Sequence, residues 1–274
     1  MNVPPPPPSI PPGPPGPPGP TGPAGNNIPE WSEDALLGGR LHLRQPAQGY
    51  RVAIDPVLLA AAVPAQAADS VLDIGCGVGA ASLCLAARVP ECKITGIEAQ
   101  MPLVRLAVEN IALNNFESRV RAMAGDILRP PPRLEPGSFS QVMANPPYQE
   151  EGRATPPPNA SKAVSQIEGV ANLAYWVRFA LSMTRPRGGI TFIHRADRLD
   201  ALLGQLTGRA GAITVLPLWP TLGTPAKRVI IHARKDIASP TRLLPGLVLH
   251  GVDGHFTKAA EAILRHGEKL DLQL

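Results

Sequence analysis

Two short segments hold the residue types most able to carry out chemistry in this chain. Residues 73–79 read Asp-Ile-Gly-Cys-Gly-Val-Gly and residues 145–148 read Asn-Pro-Pro-Tyr, so that Asn145 follows Asp73 by 72 residues. Glycines let a backbone turn sharply and let a ligand approach closely, whereas consecutive prolines stiffen the chain after Asn145. In this order, the two segments predict a cofactor pocket followed by a clamp for a planar nitrogen.

The glycine-rich segment predicts a pocket for S-adenosylmethionine. Gly75, Gly77 and Gly79 follow an apolar run typical of a strand and precede a helical pattern. With Ala80, the loop also satisfies the G-x-G-x-x-G/A fingerprint of dinucleotide-binding proteins, so a nicotinamide or flavin cofactor is the alternative. Asp73 favours S-adenosylmethionine, because a strand-end carboxylate lies poorly beside a pyrophosphate but can receive the ammonium of a methionine group.

Acidic residues also follow the next two predicted strands. Glu98 lies at the end of the second strand, where a carboxylate can accept both ribose hydroxyls. Asp126 follows the third strand and can accept a hydrogen bond from an adenine amine, while Ile127 can cover the ring. Each acid alone is typical of a solvated turn or cap, but three at successive strand ends favour a bound S-adenosylmethionine.

The second segment predicts the target clamp and the catalytic residues. Because a residue before proline is held extended, Asn145 has a restricted backbone. Its side-chain oxygen and the Pro146 carbonyl can each accept one N–H of an exocyclic amine, such as that of adenine. The nitrogen lone pair would then point at the methyl sulfonium, and Tyr148 would stack on the base. A rigid strand-to-helix turn is the alternative interpretation.

The rest of the pattern predicts the elements that position these residues. Short apolar runs alternate with helical ones, which is typical of an α/β, doubly wound, mostly parallel sheet. In such folds ligands bind beyond the carboxyl ends of the strands, where Asp73, Glu98, Asp126 and Asn145 all lie. The predicted strands are 71–74, 94–98, 120–124, 142–144, 190–194, 213–218 and 229–233, and the predicted helices are 80–88, 103–114, 167–183 and 196–206.

Composition sets broader expectations. A chain of 274 residues with 44% hydrophobic residues can bury a sizeable core, and a net charge of +4 is compatible with an RNA partner. Residues 1–30 are rich in proline and glycine and predict a disordered tail, which leaves residues 31–274 as one domain. Three cysteines without a C-x-x-C pattern, six scattered histidines and the lack of a long apolar run predict a cytoplasmic protein with no metal and no membrane segment.

A stretch ahead of the glycine loop carries a family resemblance. Residues 45–60 read Gln-Pro-Ala-Gln-Gly-Tyr-Arg-Val-Ala-Ile-Asp-Pro-Val-Leu-Leu-Ala, and Asp55 with Pro56 makes a good helix start. Together with the Asn-Pro-Pro-Tyr tetrad, this stretch resembles the class I methyltransferases of the small-methyltransferase-domain group. Within that group the chain is most similar to the tRNA adenine methyltransferases that modify valine tRNA beside the anticodon.

The resemblance implies a Rossmann-like sheet of seven strands whose last strand is antiparallel. It also implies a short helix that closes over the cofactor, with Asp73, Gly75, Gly77 and Glu98 around it. The tetrad becomes the target site, and tRNA or another RNA becomes the partner.

Three other functions are weighed against tRNA adenine methylation. Methyltransferases that act on the glutamine of release factors share the tetrad, but their family is organised in two parts, with an N-terminal helical domain ahead of the catalytic one. Only about 40 residues lie here between the tail and the first predicted strand, which disfavours that design. Other RNA or DNA base amines are further variants, and a non-catalytic S-adenosylmethionine-binding scaffold is the rival from another class. Lys227, Arg228, Arg234 and Lys235 flank the last predicted strand and are candidate phosphate contacts.

Overall fold

The computed structural model describes residues 30–48, 51–150, 167–168 and 172–272. The predicted tail, apart from Glu30, therefore lies outside the described residues, as does most of the loop that follows the tetrad. No helix in the described ranges is long and apolar enough to cross a membrane.

Seven strands form the centre of the sheet, in the order β5-β4-β3-β6-β9-β11-β10. All neighbours pair in parallel except β11, which is antiparallel to both β9 and β10. The predicted mostly parallel sheet with one antiparallel strand is confirmed, whereas the predicted count of seven strands is too low. The strands are β3 (Ser70–Ile74), β4 (Lys93–Glu98), β5 (Val120–Ala124), β6 (Phe139–Ala144), β9 (Thr184–Arg195), β10 (Ala210–Thr221) and β11 (Arg228–Lys235).

Short strands complete the fold. An antiparallel hairpin of β1 (Trp31–Leu36) and β2 (Leu41–Pro46) precedes the sheet, and β7 (Gln149–Glu150) pairs with β8 (Ile167–Glu168) apart from it. Two more strands, β12 (Arg242–Leu243) and β13 (Leu247–His250), pair in parallel with β10 and extend the sheet to nine strands.

Helices cover both faces of the sheet. The helices are α1 (Asp55–Ala62), α2 (Ala80–Arg88), α3 (Met101–Leu113), α4 (Leu173–Met183), α5 (Leu199–Leu206) and α6 (Lys258–Leu264). Neighbouring strand residues alternate between two apolar clusters. Val71 belongs to the cluster that includes residues of α1, α2, α3 and α6, and Leu72 belongs to the cluster that includes residues of α4 and α5. A strand buried on both faces needs such a continuous apolar run, which is why the predicted strands read so clearly.

Two helix predictions need correction at their starts. The helix predicted over residues 167–183 begins only at Leu173, because the Asn172 side chain accepts from the Tyr175 N–H and caps it. Ile167 lies in β8 instead. The helix predicted over residues 196–206 opens with a 3₁₀ turn, Ala196–Arg198, before α5. Helix 80–88 and strand 120–124 match the structure at both ends.

The hairpin, which the sequence pattern does not predict, is fastened to α3 by a buried amide. Asn110 is fully buried, and its Oδ1 accepts from the Arg44 N–H at 2.7 Å. Its Nδ2 donates to the Arg44 carbonyl at 2.8 Å and to the Val78 carbonyl in the glycine loop at 2.9 Å. One side chain thus ties the hairpin, α3 and the glycine loop together.

Asn110→Ala is expected to lower the free energy of unfolding by about 2–4 kcal/mol, because it leaves buried backbone groups of Arg44 and Val78 without partners. Asn114 is the matched control, since it makes the same pair of bonds to His42 at a more exposed position. Asn114→Ala should cost only about 1 kcal/mol. Urea denaturation of both variants measures the difference, and equal losses would contradict the anchoring role.

Candidate functional site

The predicted site residues lie along one edge of the sheet. Asp73 pairs with Gly96 in the register of β3 and β4, and Glu98 ends β4 opposite Ala124. Asn145 directly follows β6, the other neighbour of β3. Since these strands are parallel and adjacent, their carboxyl ends bring the acidic residues and the tetrad to a common edge.

The glycine loop occupies the centre of this edge. Gly75, Gly77 and Gly79 have φ values of +68°, +56° and +88°, a backbone region that favours glycine. A Cβ added at Gly75 would lie 2.5 Å from the indole of Trp176, so that position has no room for a side chain. The Cys76 N–H donates to the Ile97 carbonyl at 2.9 Å and holds the loop against β4.

Asp73 is the most deeply buried acid of the site, with 2% of its surface exposed. Burial raises its pKa to about 7, against the opposing effect of a hydrogen bond from the Ser82 hydroxyl at 2.7 Å. The charge of Glu98 adds to the rise. A carboxylate held in this way gains an anion-stabilising partner when a cation enters the cleft, which suits the ammonium of an amino acid.

Glu98 is tied to the loop through both carboxylate oxygens. Its Oε2 accepts from the Gly77 N–H at 3.1 Å and its Oε1 from the Gln100 N–H at 2.9 Å. Burial raises its pKa, while these two N–H groups oppose the rise. Each oxygen keeps a second lone pair, so the side chain can still accept two hydroxyl groups.

Asp126 and Ile127 lie just beyond β5 at the same edge. Asp126 is exposed, and its Oδ1 accepts from the Leu128 N–H at 2.9 Å. Ile127 is half-buried and packs on the apolar cluster beneath α4. Asp126 therefore presents an exposed carboxylate at this edge, and Ile127 beside it keeps part of its surface exposed.

A small cavity joins the cofactor residues to the tetrad. Its volume is about 30 Å³, and both Asp73 and Asn145 lie in its wall. Helix α1 forms the opposite wall through Pro56 and Leu59. The further lining residues are Val52, Gly75, Cys76, Val78, Ala80 and Ala81.

The loop that leads into α1 is held by the side chains of the motif that precedes it. Gln45 is buried, accepts from the Val52 N–H at 2.7 Å and donates to Asp34 Oδ2 at 2.6 Å. The same Asp34 oxygen pairs with Arg51 at 2.8 Å. The glutamine and the arginine of this motif therefore fix α1 to the hairpin. Helix α1 begins at Asp55, as its sequence predicts.

The tetrad is engaged by residues from three elements. The Tyr148 hydroxyl lies 2.7 Å from Asn145 Oδ1 and also donates to the Asp55 carboxylate. The Arg228 guanidinium lies over the Tyr148 ring, 4.4 Å from its centre, and its Nε lies 3.0 Å from Asp55 Oδ2. Burial, and then the charge of Asp55, raises the Tyr148 pKa above its usual range, so the hydroxyl stays protonated. Pro146 is buried beneath this group.

Three residues of this site escaped sequence reasoning. Asp55 was interpreted only as a helix start, and Arg228 only as a candidate phosphate contact. His194, fully buried at the end of β9, meets Tyr148 edge-on with ring centres 5.5 Å apart. Burial, then Arg198, lowers its pKa to about 4, so the ring is neutral at physiological pH. Asp55 and Arg228 are 173 residues apart, and no local pattern reveals such a pair.

The four basic residues around β11 do not form one phosphate-binding group. Because β11 is antiparallel, Arg228 begins at the site edge, whereas Arg234 and Lys235 end at the opposite edge. Arg234 donates to the Arg187 carbonyl and Lys235 to the Thr184 carbonyl. Within the described ranges, no group of three or more His, Cys, Asp or Glu side chains is arranged to hold a metal ion.

Comparison with known proteins defines the class. The family model of the methyltransferase small domain matches residues 51–164, which include the glycine loop and the tetrad. A crystal structure of a predicted O-methyltransferase from Agrobacterium tumefaciens shares the fold with a TM-score of 0.67 and 22% identity, over 79% of this chain and 98% of that one. The chain has a Rossmann-like methyltransferase fold, and with the match over residues 51–164 it is an S-adenosylmethionine-dependent methyltransferase.

Curated relatives narrow the comparison further. A protein of Haemophilus influenzae named tRNA1(Val) (adenine(37)-N6)-methyltransferase is 29% identical over 225 residues, or 80% of this chain and 92% of that protein. A protein of the same name from Porphyromonas gingivalis is 31% identical over 58% of this chain and 64% of its own length.

Asp73→Asn is expected to stabilise the ligand-free protein at pH 8. The carboxyl titrates at about 7 when folded but near 3.8 when unfolded, so its contribution to stability falls as the pH rises through that interval. A neutral amide escapes this loss, and the gain should grow from none near pH 4 to at most about 4 kcal/mol above pH 7.

Ser82→Ala supplies the contrast, because it removes the hydroxyl that stabilises the carboxylate. It should destabilise the protein more at pH 8 than at pH 5. Denaturant unfolding at a series of pH values measures both variants. An Asp73→Asn effect that does not change with pH would contradict a carboxyl that is neutral at low pH in the folded state.

Proposed function

We propose that this enzyme methylates the exocyclic amine of an adenosine in tRNA. The observation that carries the proposal is the position of Asn145, which lines the same cavity as Asp73 and also faces Tyr148. A planar amine held by this asparagine would lie directly beside the cofactor. The names of the two curated relatives, both tRNA adenine-N6 methyltransferases, support the same target class.

The cofactor would be held by residues of the sheet edge. The Asp73 carboxylate would receive the methionine ammonium, and Glu98 would accept from the ribose hydroxyls with its remaining lone pairs. The left-handed backbone of Gly75, Gly77 and Gly79 would let the ligand approach the loop closely. Asp126 would accept from the adenine amine while Ile127 covers the ring.

The target amine would be activated by two acceptors. S-adenosylmethionine supplies an electrophilic methyl group on a sulfonium. Asn145 Oδ1 and the Pro146 carbonyl would each accept one N–H of the amine, which directs the nitrogen lone pair at that methyl group. The nitrogen gains positive charge as the new C–N bond forms, and it then releases one proton to solvent. Acceptors placed in advance for this charge stabilise the transition state without a strong base.

Tyr148 would support the base through its ring. Arg228 covers one face of that ring, so a stacked base would use the opposite face. Base stacking on an aromatic side chain contributes about 1–3 kcal/mol of binding free energy.

For an enzyme that acts on tRNA, we place the reaction in the cytoplasm.

The segment before β3 supports RNA over a release-factor target. Its described part, residues 30–48 and 51–69, contains a hairpin with a 3₁₀ turn, Leu37–Gly39, between its strands, and one α-helix, α1. This arrangement differs from the N-terminal helical domain expected of methyltransferases that act on release-factor glutamine. The described part of the chain gives no comparable support to the non-catalytic alternative, because the tetrad and the cofactor residues meet at one cavity.

Affinity for S-adenosylhomocysteine, which keeps the ammonium, is expected to depend on pH through Asp73. Binding a cation needs the ionised carboxylate, and this carboxyl is mostly protonated below pH 7. The dissociation constant should therefore fall as the pH rises from 5.5 to 7.5, approaching about tenfold per unit at the acid end. Isothermal titration calorimetry measures this dissociation constant at each pH. Asp73→Asn should bind weakly with a flat profile, and an unchanged profile in that variant would assign the titration elsewhere.

Asn145→Ala is expected to reduce methyl transfer to undermodified tRNA by about 10²–10³-fold, because one acceptor of the target amine is lost. Labelled S-adenosylmethionine, nuclease digestion and mass spectrometry identify the methylated nucleoside, which should be N6-methyladenosine. Cofactor affinity should change much less than turnover.

Asn114→Ala serves as the matched control, since it removes the same group from α3 away from the site edge. Release factor is the parallel acceptor in the same assay. Label on release factor alone would replace tRNA by a protein glutamine as target. Binding of S-adenosylhomocysteine without transfer to either acceptor would argue for another nucleic acid or for a non-catalytic role.

A further inference from the structure

Three side chains from distant parts of the chain form a closed group at the tetrad. One oxygen of Asp55, at the start of α1, accepts from both the Tyr148 hydroxyl and Arg228 Nε. The Arg228 guanidinium returns to lie over the Tyr148 ring. The ring, the hydroxyl and the carboxylate thus fix one another, and we name this group the Asp55–Tyr148–Arg228 triangle.

The topology of the sheet makes the triangle possible. Arg228 is the first residue of β11 and pairs in register with Arg195 at the end of β9. Only an antiparallel strand starts at the carboxyl edge of its neighbours, so the reversal of β11 is what delivers Arg228 to the tetrad. Asp55 reaches the same point from the other direction, because α1 begins at this edge.

Neither charged residue is used in its ordinary structural role. An acid at a helix start commonly caps the helix, but the Asp55 side chain bonds to Tyr148 and Arg228 instead, and α1 has no side-chain cap. The Asp55 and Arg228 side chains are 13% and 31% exposed. A phosphate that recruited Arg228 would have to break a partly buried ion pair and the ring contact together, which is costly.

The triangle is continuous with the wall of the cofactor cavity. Pro56, the neighbour of Asp55, lines the cavity on one side, and Asn145, the neighbour of the Tyr148 hydroxyl, lines it on the other. A ligand that enters this cavity contacts Pro56 and Leu59 of α1, so its binding and the position of the α1 start affect each other. Movement of the α1 start moves Asp55.

The hydroxyl proton of Tyr148 also links the triangle to Asn145. A hydroxyl has one proton and can donate it to Asp55 or to Asn145, but not to both. The carboxylate is the stronger acceptor because it is charged. Asn145 Oδ1 has two lone pairs, so it keeps one with which to accept from the target amine.

We propose that Asp55 and Arg228 are positioning residues that orient Tyr148 for the target base and couple that orientation to the cofactor cavity through α1. Cofactor and target base then bind with positive cooperativity. The target half of this inference rests on the proposed function, while the link to the cavity does not.

Kinetics on tRNA test the positioning role. Asp55→Asn and Arg228→Met are each expected to lower kcat by about 10–100-fold, since a misplaced Tyr148 disturbs the aligned amine. The double variant should be no slower than the slower single variant, because the two residues act as a unit. Arg228→Lys should recover part of kcat by restoring the charge without the planar stack.

The salt dependence of binding separates positioning from phosphate contact. If Arg228 binds a phosphate, Arg228→Met will raise KM and reduce the slope of affinity against salt by about one charge. A lower kcat with an unchanged salt slope is the result that supports positioning. Arg265→Met is the control, as it also breaks an arginine–carboxylate pair, with Glu261 on the exposed side of α6, and it should change neither quantity.

Binding measurements test the coupling. For the wild type, saturating tRNA should tighten S-adenosylhomocysteine binding by about 5–50-fold, and in Asp55→Asn and Arg228→Met this gain should largely vanish. Without tRNA, Arg228→Met should still weaken S-adenosylhomocysteine binding by about 3–10-fold, although Arg228 does not line the cavity in the described part of the chain.

The outcomes distinguish this inference from the proposed function. If the wild type methylates tRNA but the variants keep kcat and the affinity gain, the triangle has no positioning role and the proposed function stands. If the wild type transfers no methyl group to tRNA, the proposed function fails. The effect of Arg228→Met on S-adenosylhomocysteine alone then decides whether the triangle reaches the cavity, with an unchanged affinity overturning it.

Discussion

Parallel pairing of β3 with β4 on one side and β6 on the other is the constraint on which the site depends. It places the ends of three strands next to each other, so that Asp73, Glu98 and Asn145 meet although they are spread along the chain. Parallel strands need crossover helices, and those helices bury both faces of the sheet. Polar side chains can then reach a ligand only from the strand ends, where the apolar layers stop.

Concentrating carboxylates at such an edge has an electrostatic cost. Burial raises the pKa of both Asp73 and Glu98, and the charge of Glu98 further raises the pKa of Asp73. The Gly77 and Gln100 N–H groups at Glu98 and the Ser82 hydroxyl at Asp73 offset part of this cost. The remainder makes the ligand-free site less stable than a purely apolar edge would be, and the cation proposed to bind at Asp73 would relieve it. Binding and stability are therefore opposed at Asp73.

The reversal of β11 has a comparable role on the target side. It supplies Arg228 to the tetrad and sends Arg234 to the far edge of the sheet, where that side chain bonds to a backbone carbonyl. The same strand thus separates residues that look equivalent in the sequence. Helix α1 contacts both parts of the site, because its first residue, Asp55, pairs with Arg228 while Pro56 and Leu59 line the cavity beside Asp73.

The sequence by itself determined the class of fold, the cofactor loop and the tetrad, because each is encoded by local patterns. Apolar strand runs, glycines at left-handed positions and a proline pair after Asn145 act within a few residues, so the strands and the backbone of the glycine loop could be predicted without knowledge of their neighbours in space. The hairpin and the late start of α4 were missed, because Asn110 and Asn172 act through hydrogen bonds that periodicity does not show. Only the tertiary structure decided that Asp55 and Arg228 meet at Tyr148. Their contact depends on strand order and direction, which bring together side chains that no sequence spacing relates.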